Sequence, residues 1–265
     1  MTQARGGAPA LPLYWSEIAR ASAGWGFFLA SLPLGPALPA GDGHPVLVLP
    51  GLLAGDGSTT ALRGVLRRLG YDVHGWQLGR NVGPTGKVVR GMDRRLQELA
   101  QRHGRPVSVV GWSLGGIFAR SLARRSPHLV RQVVTLGSPF RLARAGQSRA
   151  SGAFERFSHL HVEPVSLPLE GDAAALVVPS TSIYSRYDGI VAWRACLDTP
   201  GPFAENVEVY GSHLGLGHNP AVIWAVTDRL AQPEGAWRPF RAPVVLRPFF
   251  PRPGTPTAAA PPTAA

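Results

Sequence analysis

"VVGWSLGG", residues 109–116, places a serine among small residues where an apolar, β-branched run gives way to a stretch with helical character. Gly111-Trp112-Ser113-Leu114-Gly115 matches Gly-x-Ser-x-Gly, and it lies in the context of strand, tight turn and helix that this pattern needs to present a serine as a nucleophile. Such a turn is strained, and small neighbours let strand and helix backbones come close enough to hold it. Gly115 and Gly116 lower helix propensity, so something other than helix stability favours them. The bland alternative is a Gly-rich packing turn, which many α/β proteins contain.

Outward from this stretch the chain repeats the same alternation. Short apolar runs at 46–50 (VLVLP), 107–111 (VSVVG), 130–137 (VRQVVTLG), 180–185 (STSIYS) and 206–211 (NVEVYG) read as strands, with 71–76 (YDVHGW) a weaker one. Helical spacing falls between them at 59–69, 87–103 and 114–125, and again at 221–230. Continuous apolar strands alternating with helices predict an α/β fold, a mostly parallel sheet covered on both faces. Residues 1–44 form an N-terminal extension with an amphipathic helix over 14–31, and 45–232 form the main domain. The alternation lapses over 139–178, a candidate cap or lid over a site. Residues 233–265 make a Pro- and Ala-rich tail, expected to be disordered from about Arg247.

The 265 residues carry a net charge of +11, and every basic residue except Lys87 is arginine. The arginines are scattered, without a basic stripe interleaved with aromatics, which argues against a nucleic-acid partner and leaves only weak attraction to a membrane or lipid surface. One cysteine, Cys196, excludes an internal disulfide framework and a cysteine-rich metal site. Glu17 and interspersed Pro and Gly weaken a secretory reading of the apolar N-terminus, so a cytoplasmic location is expected, with export the alternative.

If Ser113 is a nucleophile, it needs a base, a group that orients the base, and donors for a developing oxyanion, all from loops at strand C-termini. The strand at 180–185 runs into "SRYDGIV" and delivers Asp188; the strand at 206–211 runs into "GSHLGLGHNP" and delivers His213. Ser113, Asp188, His213 is the chain order of a nucleophile-elbow hydrolase. His218 competes as base, although Asn219-Pro220 after it reads as the cap and first turn of the last helix. Asp188 has its own bland reading as half of an Asp-Gly turn, and Asp56, Asp172 and Asp198 are weaker rivals. For the oxyanion, the Leu114 N–H follows the nucleophile at a helix N-terminus, and the Leu52 N–H follows Gly51 in "LPGLLAGDG". The loop "LGRNVGPTG" at 78–86 belongs near the cleft without an assigned role.

These segments resemble the α/β-hydrolase superfamily, in particular small bacterial lipases of the minimal Bacillus type. "HPVLVLPGLLAG" is similar to that family's first strand and oxyanion loop, "VVGWSLGG" to its elbow, and "TSIYSRYDGIV" with "NVEVYGSHLGLGHNP" to its acid and histidine segments. The family's Gly-His-x-Gly-Leu falls on Ser212 to Leu216, which favours His213 over His218. The resemblance spans about 45–230 and omits the N-terminal helix, the 139–178 segment and the tail. Pro50-Gly51 replaces the usual His-Gly, and Trp112 stands where histidine is frequent, changes that bear on substrate preference. The resemblance implies an ester hydrolase working through an acyl-enzyme, without metal or organic cofactor, on small-molecule acyl esters; Trp112, Leu52, Leu53, Phe154 and Phe157 suggest apolar acyl groups, although such residues are equally often core. Acyl transfer or thioester hydrolysis by the same residues, and a non-catalytic homologue that binds lipid or a partner, are the alternatives.

Overall fold

A computed structural model describes residues 7–141, 145–162 and 175–251. Six strands, β1 (Pro45–Leu49), β2 (Asp72–Gly75), β3 (Val107–Trp112), β4 (Val130–Leu136), β5 (Ser180–Tyr184) and β6 (Ala204–Glu208), form one sheet in the order β2-β1-β3-β4-β5-β6. All five pairings are parallel, as the alternation of strand and helix predicts.

Among the described residues seven α-helices accompany the sheet: α1 (Leu11–Trp15), α2 (Glu17–Ser31), α3 (Thr60–Arg68), α4 (Gly86–His103), α5 (Leu114–Arg125), α6 (Ser151–Glu155) and α7 (Pro220–Leu230). Every residue of β1 and of β4 is buried, because both sheet faces are covered. Alternate side chains serve opposite layers. Leu47, Leu49, Val107, Val109 and Val133 pack with α4 and α5, whereas Val46, Val48, Val73, Val110 and Val134 pack with Phe28 of α2 and with α3 and α7. Helix ends follow local chemistry: Thr85 accepts from Val88 N at the start of α4, Gly104 closes it at φ +60°, and Asn219 accepts from Ala221 N and Val222 N ahead of Pro220.

Three local outcomes differ from the sequence reading. The N-terminal helix breaks at Ser16, whose hydroxyl donates to the Pro12 and Leu13 carbonyls and so competes with helix continuation. The last strand pairs over 204–208 instead of 206–211. Val244–Phe249 forms a 3-10 turn where disorder was expected to set in, with Phe240 and Phe250 packed on the core. The tail from 252 onward and residues 142–144 and 163–174 of the expected cap lie outside the described residues; the described part of the cap contains α6 and a 3-10 turn at Ser158–Leu160. No described helix is long and apolar enough to cross a membrane.

The order places β1 and β3 side by side with the chain leaving them in opposite directions, β1 toward β2 and β3 toward β4. Loops after such strands diverge and open a crevice at their C-terminal ends.

Candidate active site

Ser113 stands between β3 and α5 with φ 54° and ψ −120°, a conformation that costs a non-glycine residue energy and persists only where its surroundings over-determine it. Its N–H donates to Leu136 O at 2.8 Å, which ties the turn to β4. Close approaches do the rest. A Cβ on Gly111 would lie 2.4 Å from Gly115 O, and one on Gly115 would lie 2.4 Å from Leu49 O. One on Gly116 would meet the Ser138 side chain. The three glycines thus mark where the turn meets its own helix, where that helix meets the end of β1, and where it meets the loop after β4.

Asp188 and His213 come together as their chain positions predict. His213 Nδ1 lies 2.5 Å from Asp188 Oδ2, and both residues are buried. Asp188 Oδ1 accepts from Ile190 N at 2.8 Å and Val191 N at 2.7 Å, which fixes the carboxylate and leaves Oδ2 for the imidazole. Ser185 binds the two loops: its hydroxyl donates to Gly211 O and accepts from Gly211 N and Tyr187 N. Burial alone would depress the His213 imidazole; the Asp188 charge and hydrogen bond, with Glu17 adding to them, outweigh it and hold the pKa above its ordinary 6.5.

Gly137 lies directly beneath this pair. Its φ is +56°, and a Cβ there would fall 3.1 Å from His213 Nδ1 and 3.3 Å from Asp188 Oδ2. Since Ser113 N is bonded to the preceding residue, the Ser113 turn and the His213 imidazole meet over the end of β4. Trp112 adds a second link, donating its indole N–H to His213 O at 3.2 Å. Among the described residues Ser113 Oγ has no hydrogen bond to His213.

The loop after β1 reaches the same point. A Cβ on Gly51 would lie 3.2 Å from Ser113 Cβ, so the backbone entering Leu52 passes beside the serine. Neither the Leu52 nor the Leu114 N–H has a partner among the described residues. The 78–86 loop, unassigned from sequence, braces this one. Buried Asn81 donates its side-chain amide to Pro50 O at 2.9 Å, accepts at its carbonyl from Leu53 N at 2.7 Å, and donates its own N–H to Ala54 O at 2.8 Å.

The rival groups are committed elsewhere. His218 donates from Nε2 to Ala21 O at 3.0 Å and stacks on Trp25 with ring centroids 4.5 Å apart, and burial lowers its pKa. Asp198 forms a buried two-pronged pair with Arg120 at 2.6 and 3.0 Å. Asp56 accepts from Trp76 N and Gln77 N, and Asp172 lies outside the described residues. Asp72, His74 and His103 bring three ligand-type atoms within 4.8 Å of one another. Arg95 Nη2 lies 3.5 Å from His74 Nδ1, and Asp72 Oδ2 lies 3.1 Å from His74 Nε2 and 2.9 Å from His103 Nε2. This cluster is a charge network joining β2 to the end of α4.

A buried carboxylate beside the Asp188–His213 pair was given no role in the sequence reading. Glu17, on α2, accepts from Gly189 N at 2.7 Å and from His213 N and Leu214 N at 3.0 Å each.

No protein-family model and no curated protein sequence matches this chain. Solved structures do. Lipase B of Aspergillus fumigatus superposes with a TM-score of 0.58 at 18% identity, over 74% of this chain and 54% of that one. The Bacillus licheniformis lipase BlEst2, in its propeptide form, gives 0.51 at 18% identity over 78% and 53%, and the pyrethroid hydrolase PytH gives 0.50 at 17% over 70% and 96%. The chain has the α/β-hydrolase fold. It spans about half the length of the two lipases. Within the α/β-hydrolase fold, Ser113, His213, Asp188 and the Leu52 loop occupy one end of the sheet, the end where loops after successive parallel strands converge.

Proposed function

We propose that the protein is a serine hydrolase of carboxylic esters acting through an acyl-enzyme on Ser113, His213 and Asp188. The observation that carries this reading is the buried 2.5 Å contact of His213 with Asp188 over Gly137, one residue beyond the carbonyl that holds the strained Ser113 turn. With Asp188 on Nδ1, the proton-accepting lone pair of His213 is on Nε2. His213 takes the Ser113 hydroxyl proton as Oγ bonds to the ester carbon. The oxyanion that forms is bound by the Leu52 and Leu114 N–H groups. The ester C–O bond then breaks, the proton passes from Nε2 to the leaving alcohol, and water repeats the cycle on the acyl-enzyme to release the acid. Asp188 stays ionised and stabilises the imidazolium.

Apolar acyl groups are supported by the half-buried Leu52 and Phe154, and presentation of the ester at a lipid surface by exposed Leu11, Trp15, Ile18, Phe27 and Leu29 on α1 and α2. Intact-mass analysis after incubation with a fluorophosphonate tests the central claim. A single adduct on the wild type that is absent from Ser113→Ala is expected; no adduct on folded wild type would overturn it.

A further inference from the structure

Helix α2 lies outside the segments that resemble lipases, yet it packs against the turn His213–His218 more extensively than any other helix does. The contact centres on a charge. Glu17 is 2% exposed, and a buried carboxylate is costly unless paired and hydrogen-bonded. Here it is both. Oε1 accepts from Gly189 N, the residue after the acid, and from His213 N, the base itself; Oε2 accepts from Leu214 N. Arg20, one turn on, pairs with Oε1 at 2.9 Å and donates to Tyr187 O, the residue before the acid, at 2.8 Å. Glu17 and Arg20 together therefore grip both flanks of Asp188 and the backbone of His213.

A purely structural helix contact needs only apolar packing at this place, and a neutral side chain would avoid the desolvation of a carboxylate. The carboxylate instead aims at the three N–H groups that set where the acid and the base stand. We propose that Glu17 is a positioning residue for His213: a second buried carboxylate, supplied by the N-terminal helix, that clamps the acid and base loops together and lays negative charge beside the imidazolium formed in the reaction. The inference rests on the proposed roles of Ser113, His213 and Asp188. The charged groups facing His213 are Asp188 from the loop after β5 and Glu17 from α2, with Arg20 set against Glu17. His218, in the same turn, is directed at Ala21 O.

The test compares wild type, Glu17→Gln and Arg20→Gln for kcat, KM and the pH dependence of kcat/KM on a p-nitrophenyl ester, with fluorophosphonate labelling rates alongside. Glu17→Gln keeps the size and one acceptor oxygen but loses the charge and turns an amide N–H toward Leu214 N. Expected are a kcat lower by about 10- to 100-fold with KM little changed, as for a misplaced catalytic group, and an acid limb moved to lower pH. Arg20→Gln leaves the three Glu17 contacts in place but removes the countercharge and the Tyr187 O contact, so its acid limb moves the other way, to higher pH. If Glu17→Gln fails to fold, the Arg20→Gln shift still decides. Wild-type kcat and an unmoved limb in a folded Glu17→Gln enzyme, or an unmoved limb in Arg20→Gln, would overturn the inference while labelling of wild-type Ser113 left the hydrolase reading intact. Absence of labelling in wild type would instead remove the reading on which it rests.

Discussion

Replacing Gly115 by alanine tests whether the loop after β1 and the turn after β3 act as one device. The added Cβ would sit 2.4 Å from Leu49 O and 2.7 Å from Pro50 O, both backbone atoms at the end of β1. Ordinary contact begins near 3.4 Å, so the start of α5 and the β1 end must separate by roughly 1 Å. The Leu114 N–H rides on α5 and the Leu52 N–H on the loop leaving β1, and an oxyanion bonded to one at about 2.9 Å would then stand near 4 Å from the other, beyond hydrogen-bonding range. Losing one oxyanion donor typically costs about 10²- to 10³-fold in kcat, with the loss confined to the transition state. Overpacking adds about 1–3 kcal/mol of destabilisation. The assay is kcat and KM on a p-nitrophenyl ester with a thermal melt of the same preparation. Gly64→Ala in α3 is the control, because nothing lies within 4 Å of its Cβ position, and alanine there should raise stability by about 1 kcal/mol through helix propensity. A folded Gly115→Ala protein that keeps kcat within about twofold of wild type would refute the idea that this approach sets the donor spacing.

Three further outcomes follow from the same geometry. His218→Ala should retain most of kcat, because its Nε2 is bound to Ala21 O; an inactive His218→Ala beside an active His213→Ala would reverse the base assignment. The base must be neutral to act and its pKa is held above 6.5, so kcat/KM should rise with pH to a midpoint above 6.5, and a midpoint below that value would contradict the Asp188–His213 coupling. Asp198→Ala removes one partner of a buried pair and should destabilise by about 3–5 kcal/mol, a fall in Tm on the order of 10 °C; an unchanged melt would show that Arg120 is satisfied without it.

The central sheet was legible because its strands are buried on both faces, which forces unbroken runs such as Val46 to Leu49 and Val133 to Leu136. The edge strand β6 was harder to bound: Ala204 to Asn206 are only half-buried and pair with polar Ser180 to Ser182, so the apolar signal begins at Val207, late in the paired segment. The meeting of Asp188 with His213 was legible because strand-end position is a sequence property once the strands are known. Asn81 and Glu17 could not be found in that way. Asn81 braces the loop after β1 through its backbone and side chain together, a role that depends on a loop-to-loop fit no residue pattern encodes.

Glu17 is the sharper case, because its type was noticed for the opposite reason, as a charge that spoils an apolar N-terminal run. A charge in such a run is unfavourable for a secretory segment and equally unfavourable for a buried helix face, unless partners from elsewhere in the chain meet it. Those partners are backbone N–H groups 172 to 197 positions away, and every residue type carries the same N–H. Sequence can reveal that Glu17 needs an explanation; only the fold supplies the acceptor geometry that turns an anomaly at the start of α2 into a support for the backbone of His213 near the far end of the chain.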